Sequence, residues 1–171
     1  MAERLRVSTD EFVIIVTAWL DCAIANNGVE AKLSEQELTY FHGCSPPDIS
    51  IEDYLHRLLF YTKHSNEVLV GALVYLQRVS NTQPFIEFIP ETIHRLILSS
   101  FVASAKMHED YALSSAHYAA IGGVSLSEMK RLELCMLHRL DFCLFVSVES
   151  YTDIIALITK TIQVSPERDM Q

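Results

Sequence analysis

The chain has 171 residues, enough for one domain with a real core. Half of them are hydrophobic, and 22 acids against 13 Lys and Arg give a formal net charge of −9. That balance opposes general nucleic-acid binding, which needs clustered Lys and Arg, and it suits partners with basic surfaces or simply a solvated acidic exterior. Cys22, Cys44, Cys135 and Cys143 show no CxxC spacing, and three of them lie in apolar stretches where Cys acts as a small buried hydrophobe. The expectation is a reducing, intracellular compartment. The seven His show neither an HExxH nor a Cys/His ligand spacing, so no metal site and no cofactor are expected.

At the N-terminus, Arg4 and Arg6, the run FVIIVTAWL and Ala23-Ile24-Ala25 have the outline of a secretory signal. Glu3, Asp10 and Glu11 flank the run, Asp21 breaks its end, and it is too short to span a membrane. The expectation is therefore neither a cleaved signal nor a membrane segment. Residues 9–25 read instead as a helix, capped by Ser8, Thr9 or Asp10 and ended by Asn26-Asn27-Gly28. Its apolar positions Phe12, Val13, Val16, Trp19, Leu20 and Ala23 fall at helical spacing.

A polar link over 29–47 ends in Ser45-Pro46-Pro47. Ser50-Ile51-Glu52-Asp53 then has capping-box character. Ile51, Tyr54, Leu55, Leu58 and Leu59 make an amphipathic stripe after it. A further helix starts near Ser65, with Val68, Leu69, Ala72, Leu73 and Leu76 apolar, and Pro84 closes the loop behind it.

The stretch Pro90 to Asp110 organises the chain. Between Arg95 and Lys106 lie ten uncharged residues, LILSSFVASA. Pro90 suits a first helical position, Glu91 the first turn, and Lys106 and His108 the other end. Apolar residues fall on every side, which in a soluble chain predicts a buried rod wrapped by other helices. Ser99, Ser100, Ala103, Ser104 and Ala105 would let neighbours come close.

A short helix follows from about Ser114 to Ala120, stopped by Gly122-Gly123. Ser125-Leu126-Ser127-Glu128 is a second capping box. It opens a helix to about Leu140 with Met129, Leu132, Met136, Leu137 and Leu140 in register. Ser147 or Ser150 opens a last helix through Ile154, Ile155, Leu157 and Ile158, and the tail SPERDMQ reads as frayed. Residues 143–148 are the best strand candidate, but the stretch is short. The fold expected is all-α: five central helices around a buried one, flanked by a helix at each end.

No catalytic constellation is present: no phosphate-binding Gly loop, no GxSxG, no paired carboxylates. Two charged residues stand out. Glu133 falls inside the apolar stripe of its helix, counting about 100° per residue. A carboxylate there needs a partner, either within the fold or on another protein. Lys106 is a helix C-terminal cation that reaches water, or the other half of a Lys–Glu pair between two helices. Glu109 and Asp110, taken alone, are solvated loop acids.

Three stretches then carry a resemblance: PPDISIEDYLHRLLFYTKHSNEVLVGALVYLQR, HRLILSSFVASAKMHED and SSAHYAAIGGVSLSEMKRLELCMLHRLDF. In this order and spacing they resemble a cyclin box, most closely that of the P-type and U-type cyclins. The resemblance implies a single box over residues 46–146, after an N-terminal helix and linker (1–45) and before a C-terminal helix and tail (147–171). It also implies a protein with no catalytic activity that binds and activates a cyclin-dependent protein kinase in the nucleus or cytoplasm, with no nucleic acid and no membrane involved. The different class it displaces is a cyclin-fold scaffold or transcription adaptor that activates no kinase.

The resemblance assigns Lys106 and Glu133 to contacts with the kinase C-helix region. It assigns Met107, Leu137 and Leu144 to apolar contacts, and Asp110 to the kinase activation segment. One departure matters. The Arg of the mitotic MRAIL docking stretch is Asp48 here, and its acidic partner in the pattern YIDR is Gln77. Losing both together strands no charge and removes the grounds for expecting that docking site.

Overall fold

The computed structural model describes residues 7–27, 39–82 and 86–164. Arg4, Arg6, Gly28, most of the polar link, Pro84 and the tail lie outside the described residues. Within them are seven helices: α1 (Thr9–Asn27), α2 (Ile51–Thr62), α3 (Asn66–Ser80), α4 (Ile93–His108), α5 (Ser115–Gly122), α6 (Leu126–Arg139) and α7 (Val148–Val164). None of them is long and apolar enough to cross a membrane.

Local chemistry sets most of the helix starts. The Ser8 hydroxyl accepts from the Glu11 N–H at 3.2 Å while Glu11 accepts from the Ser8 N–H at 2.8 Å, a reciprocal capping box. Ser50, Ser114, Ser125 and Ser147 each accept from the N–H three residues on. Gly123 ends α5 in the left-handed conformation, φ 73°, with its N–H on the Ala119 carbonyl.

The central rod is α4. All ten residues from Leu96 to Ala105 are buried, as the uncharged run predicts. The Ser99 and Ser100 hydroxyls bond back to the carbonyls of Arg95 and Ile97, which satisfies them inside the core. On either side of the rod pack α3 and α6, and α1 packs on α7. The N-terminal apolar run is core helix: Phe12, Val13, Val16, Trp19 and Leu20 are buried.

Several expectations need correction. Pro90 and Glu91 lie in a turn before α4, not in its first turn. The helix starts later because the buried Thr92 hydroxyl donates to the Glu87 carbonyl at 2.6 Å and accepts from the Ile89 N–H, which closes a loop ahead of it. At sixteen residues the rod is roughly 24 Å long. Glu128 does not return to its own cap. It reaches Arg95 instead, 2.8 Å from both Nε and Nη2. Cys22, Cys44 and Cys143 are exposed, and only Cys135, half-buried, packs against the core. Leu157 faces outward, 38% exposed.

Candidate functional site: the α4–α6 face

The buried rod delivers its charged end to the surface. Lys106 is the first exposed residue after Ala105. Its Nζ donates to Glu133 Oε1 of α6 and to Ser115 Oγ of α5 at 3.2 Å. Ser115 Oγ in turn lies 3.4 Å from Glu133 Oε2. The side chains of Lys106 and Glu133 are 33% and 17% exposed. Glu133 is therefore paired within the fold, and the pair still reaches the surface. Ser115 was not singled out by pattern, since a Ser one residue into a helix reads only as a start signal.

Met107 is 49% exposed on the same helix end, and Asp110 is exposed in the bend that follows. Leu137, one turn beyond Glu133 on α6, is half-buried, and so is Leu144 in the connection to α7. The Phe142 N–H bonds the Leu137 carbonyl at 2.9 Å, folding the chain back over the end of α6. Leu134 and Phe142 remain more than half exposed nearby in the chain. Pairing thus joins Lys106 to Glu133 across two helices. Leu137 and Leu144 sit on one continuous helix-end segment, and Met107 and Asp110 flank Lys106.

Two groups of positioning contacts escaped the sequence reading. Glu109 is not a loop acid in water. It accepts from the Ser65 N–H and hydroxyl at 3.3 and 3.2 Å, serving the start of α3. His64 sits between Glu109 Oε1, 3.8 Å from its Nδ1, and the Tyr118 hydroxyl, 2.7 Å from its Nε2. That hydroxyl also accepts from the Leu113 N–H. This chain of contacts fixes the segment between α4 and α5 that carries Asp110. On the other side, Tyr75 and Arg78 of α3 bond the carbonyls of residues 143–145. Burial pushes the Tyr75 hydroxyl up to about 12, so it stays a donor.

Burial holds His64 below its ordinary value near 6.5, with Glu109 opposing. Burial does the same to His94, whose Nε2 donates to the Ile49 carbonyl at 2.9 Å while Nδ1 is buried with no partner among the described residues. Both rings are therefore harder to protonate in the fold than in the unfolded chain. A group depressed on folding contributes stability that is present above its unfolded value and lost as pH falls through the folded one. Melting temperature should accordingly drop from about pH 7.5 to about pH 5.5, and the drop should shrink in His94→Gln. A profile equally steep in the variant would contradict this account of His94.

The cyclin family profile matches residues 14–144. The chain belongs to the cyclin family. Cyclin-P3-1 of Oryza sativa subsp. japonica is 36% identical over 141 residues, covering 81% of this chain and 59% of the relative. Cyclin-U4-1 of Arabidopsis thaliana is 31% identical over 152 residues, covering 88% and 75%. PHO85 cyclin-7 of Saccharomyces cerevisiae is 30% identical over 163 residues, covering 82% and 57%. This cyclin is thus of the P/U type with a single cyclin box, as the resemblance implied, and it spans under two thirds of the length of the rice and yeast relatives. The departure from the mitotic pattern has a structural setting. Pro47–Ser50 form an irregular approach to α2. Asp48 is exposed there, and Gln77 is half-buried on α3.

Proposed function

We propose that this cyclin is the regulatory subunit of a cyclin-dependent protein kinase and acts by docking on the kinase C-helix region. The observation that carries the reading is the Lys106–Glu133 pair, held at the surface end of a fully buried helix with Met107 exposed beside it. A rigid mount of this kind presents charge and apolar surface together without reorganising on binding, which lowers the cost of association. Met107, Leu137 and Leu144 supply apolar contact. Lys106 and Glu133 bond groups of the kinase helix, and Asp110 faces the activation segment.

The mechanism is a population shift. When the kinase helix is drawn inward, its Glu pairs with the strand Lys that orients the ATP phosphates. The cyclin stabilises that arrangement by as much as it binds it better than the inactive one. It performs no chemistry of its own, and neither nucleic acid nor membrane takes part. Its four free thiols suit the nucleus or cytoplasm.

The test is a capture and phosphorylation assay with a panel of purified cyclin-dependent kinases. PHO85 belongs in it, being the partner in the yeast relative's name. At least one kinase should be bound and its activity raised. Absence of binding across the panel would sink the proposal.

A further inference from the structure

The connection from α6 to α7 is neither helix nor strand, yet its backbone is tightly held. Polar groups of such a stretch must find partners somewhere, and here they come from α3. Arg78 Nη1 donates to the Cys143 carbonyl at 3.0 Å and Nη2 to the Phe145 carbonyl at 2.9 Å. The Tyr75 hydroxyl donates to the Leu144 carbonyl between them at 2.6 Å. Three successive carbonyls are thus clamped by two side chains one helical turn apart. Tyr75 is itself fully buried and cannot drift.

The clamp fixes which way the side chains point. Exposure alternates along the segment, as it does in extended chain: Cys143 and Phe145 lie outside, Leu144 and Val146 are partly buried against the core. Phe145 is consequently held out in water, 70% exposed. Just before it, Asp141 and Phe142 both have positive φ, 49° and 54°. That conformation is rare for a Phe, and it leaves Phe142 58% exposed. A large aromatic held outward by a dedicated clamp has no account within the fold of the free chain. Its place does suggest one. It follows the exposed Phe142 by three residues, and the Phe142–Leu137 bond ties the same segment to α6. Phe145 therefore extends the proposed kinase-binding face.

We infer that Phe145 is an aromatic anchor for the bound kinase, entering an apolar recess of the kinase, and that Arg78 and Tyr75 are the positioning residues that hold it out. The inference rests on the kinase-binding reading. Large aromatics combine much contact area with few rotatable bonds, which makes them frequent anchors of protein interfaces. The guanidinium fork matters because a lysine ammonium cannot hold two carbonyls in fixed planes.

The experiment is a double-mutant cycle on the full chain with the kinase captured above. It reads dissociation rate and affinity beside the melting temperature of the free protein. Phe145→Ala should weaken binding about tenfold, mostly through faster dissociation, with the melting temperature unchanged. Arg78→Lys should weaken binding by a similar factor, and the double variant should be no weaker than Phe145→Ala alone. If Arg78→Lys does not fold, Tyr75→Phe replaces it in the same cycle.

Normal binding by Phe145→Ala, with Lys106→Ala and Glu133→Ala impaired, would overturn the anchor and leave the kinase-binding reading intact. Normal binding by all three would overturn the reading itself. Full additivity of Arg78→Lys and Phe145→Ala would overturn the positioning role.

Discussion

Lys106→Ala, Glu133→Ala and the double variant are expected to weaken kinase binding alike, each by roughly 30-fold or more. All three should keep wild-type helical content and stability. The two halves of this prediction have different physical origins. In the free protein the side chains are 33% and 17% exposed, so the pair is partly covered but still in contact with water. Exposed ion pairs contribute only about 0–1 kcal/mol, and Ser115 remains as a partner for whichever charge is left. In the proposed complex the same pair is covered by the kinase helix and loses its water. Removing one member then strands the other as a desolvated charge, the costly outcome for buried pairs. Since either truncation breaks the whole unit, the effects should not add. Double-mutant analysis of the dissociation constants checks this. Single variants that bind as wild type would refute the assignment of the pair to the interface. Single variants that are impaired additively would refute its action as a unit.

The helices were legible because what starts and stops them is local. Ser50, Ser114, Ser125 and Ser147 cap within three residues, and Gly123 closes α5 within four. The rod was legible because a charge-free run of ten residues has no other stable place in a folded chain. Glu133 could be picked out as a candidate for pairing because it broke the apolar stripe of its own helix, and Lys106 because it ends the uncharged run. Residues with plausible local roles misled. Glu128 sits where a capping box would place it, but the Arg95 guanidinium offers its Oε1 two charged N–H donors, which a lone backbone N–H cannot match. Glu109 follows a helix end and looks solvated, though the fold brings the start of α3 against it. Arg78 and Tyr75 gave no signal at all. Their partners are main-chain carbonyls 65 to 69 residues away, and carbonyls are the same in every sequence. The cysteines misled for a similar reason: an apolar neighbourhood in sequence is not burial in space.

Gly71→Ala should destabilise the fold, against the usual preference of helices for Ala. Gly71 lies in the middle of α3, among the buried residues Val68 to Leu76. On an exposed helix the substitution would stabilise by about 1 kcal/mol. Here an added Cβ would stand 2.3 Å from Ser104 Oγ on the central rod. Ser104 is fully buried, so its hydroxyl must swing into packed neighbours or α3 must back away from α4. Overpacking of this sort costs about 1–3 kcal/mol, a fall in melting temperature of roughly 3–9 °C for a chain of this size. Ser104→Ala supplies the control. It removes the obstructing oxygen and leaves Ser104's own Cβ position and His108 Cε1, both at 3.4 Å, in ordinary contact range. In that background Gly71→Ala should be neutral or stabilising. An equal loss of stability in both backgrounds would show that the Ser104 oxygen is not the obstacle. Any backing-off of α3 also bears on the proposed interface, because Lys106 follows Ser104 by only two residues on the same rod. Gly71→Ala should therefore weaken kinase binding too, and Ser104→Ala should restore it along with the melting temperature.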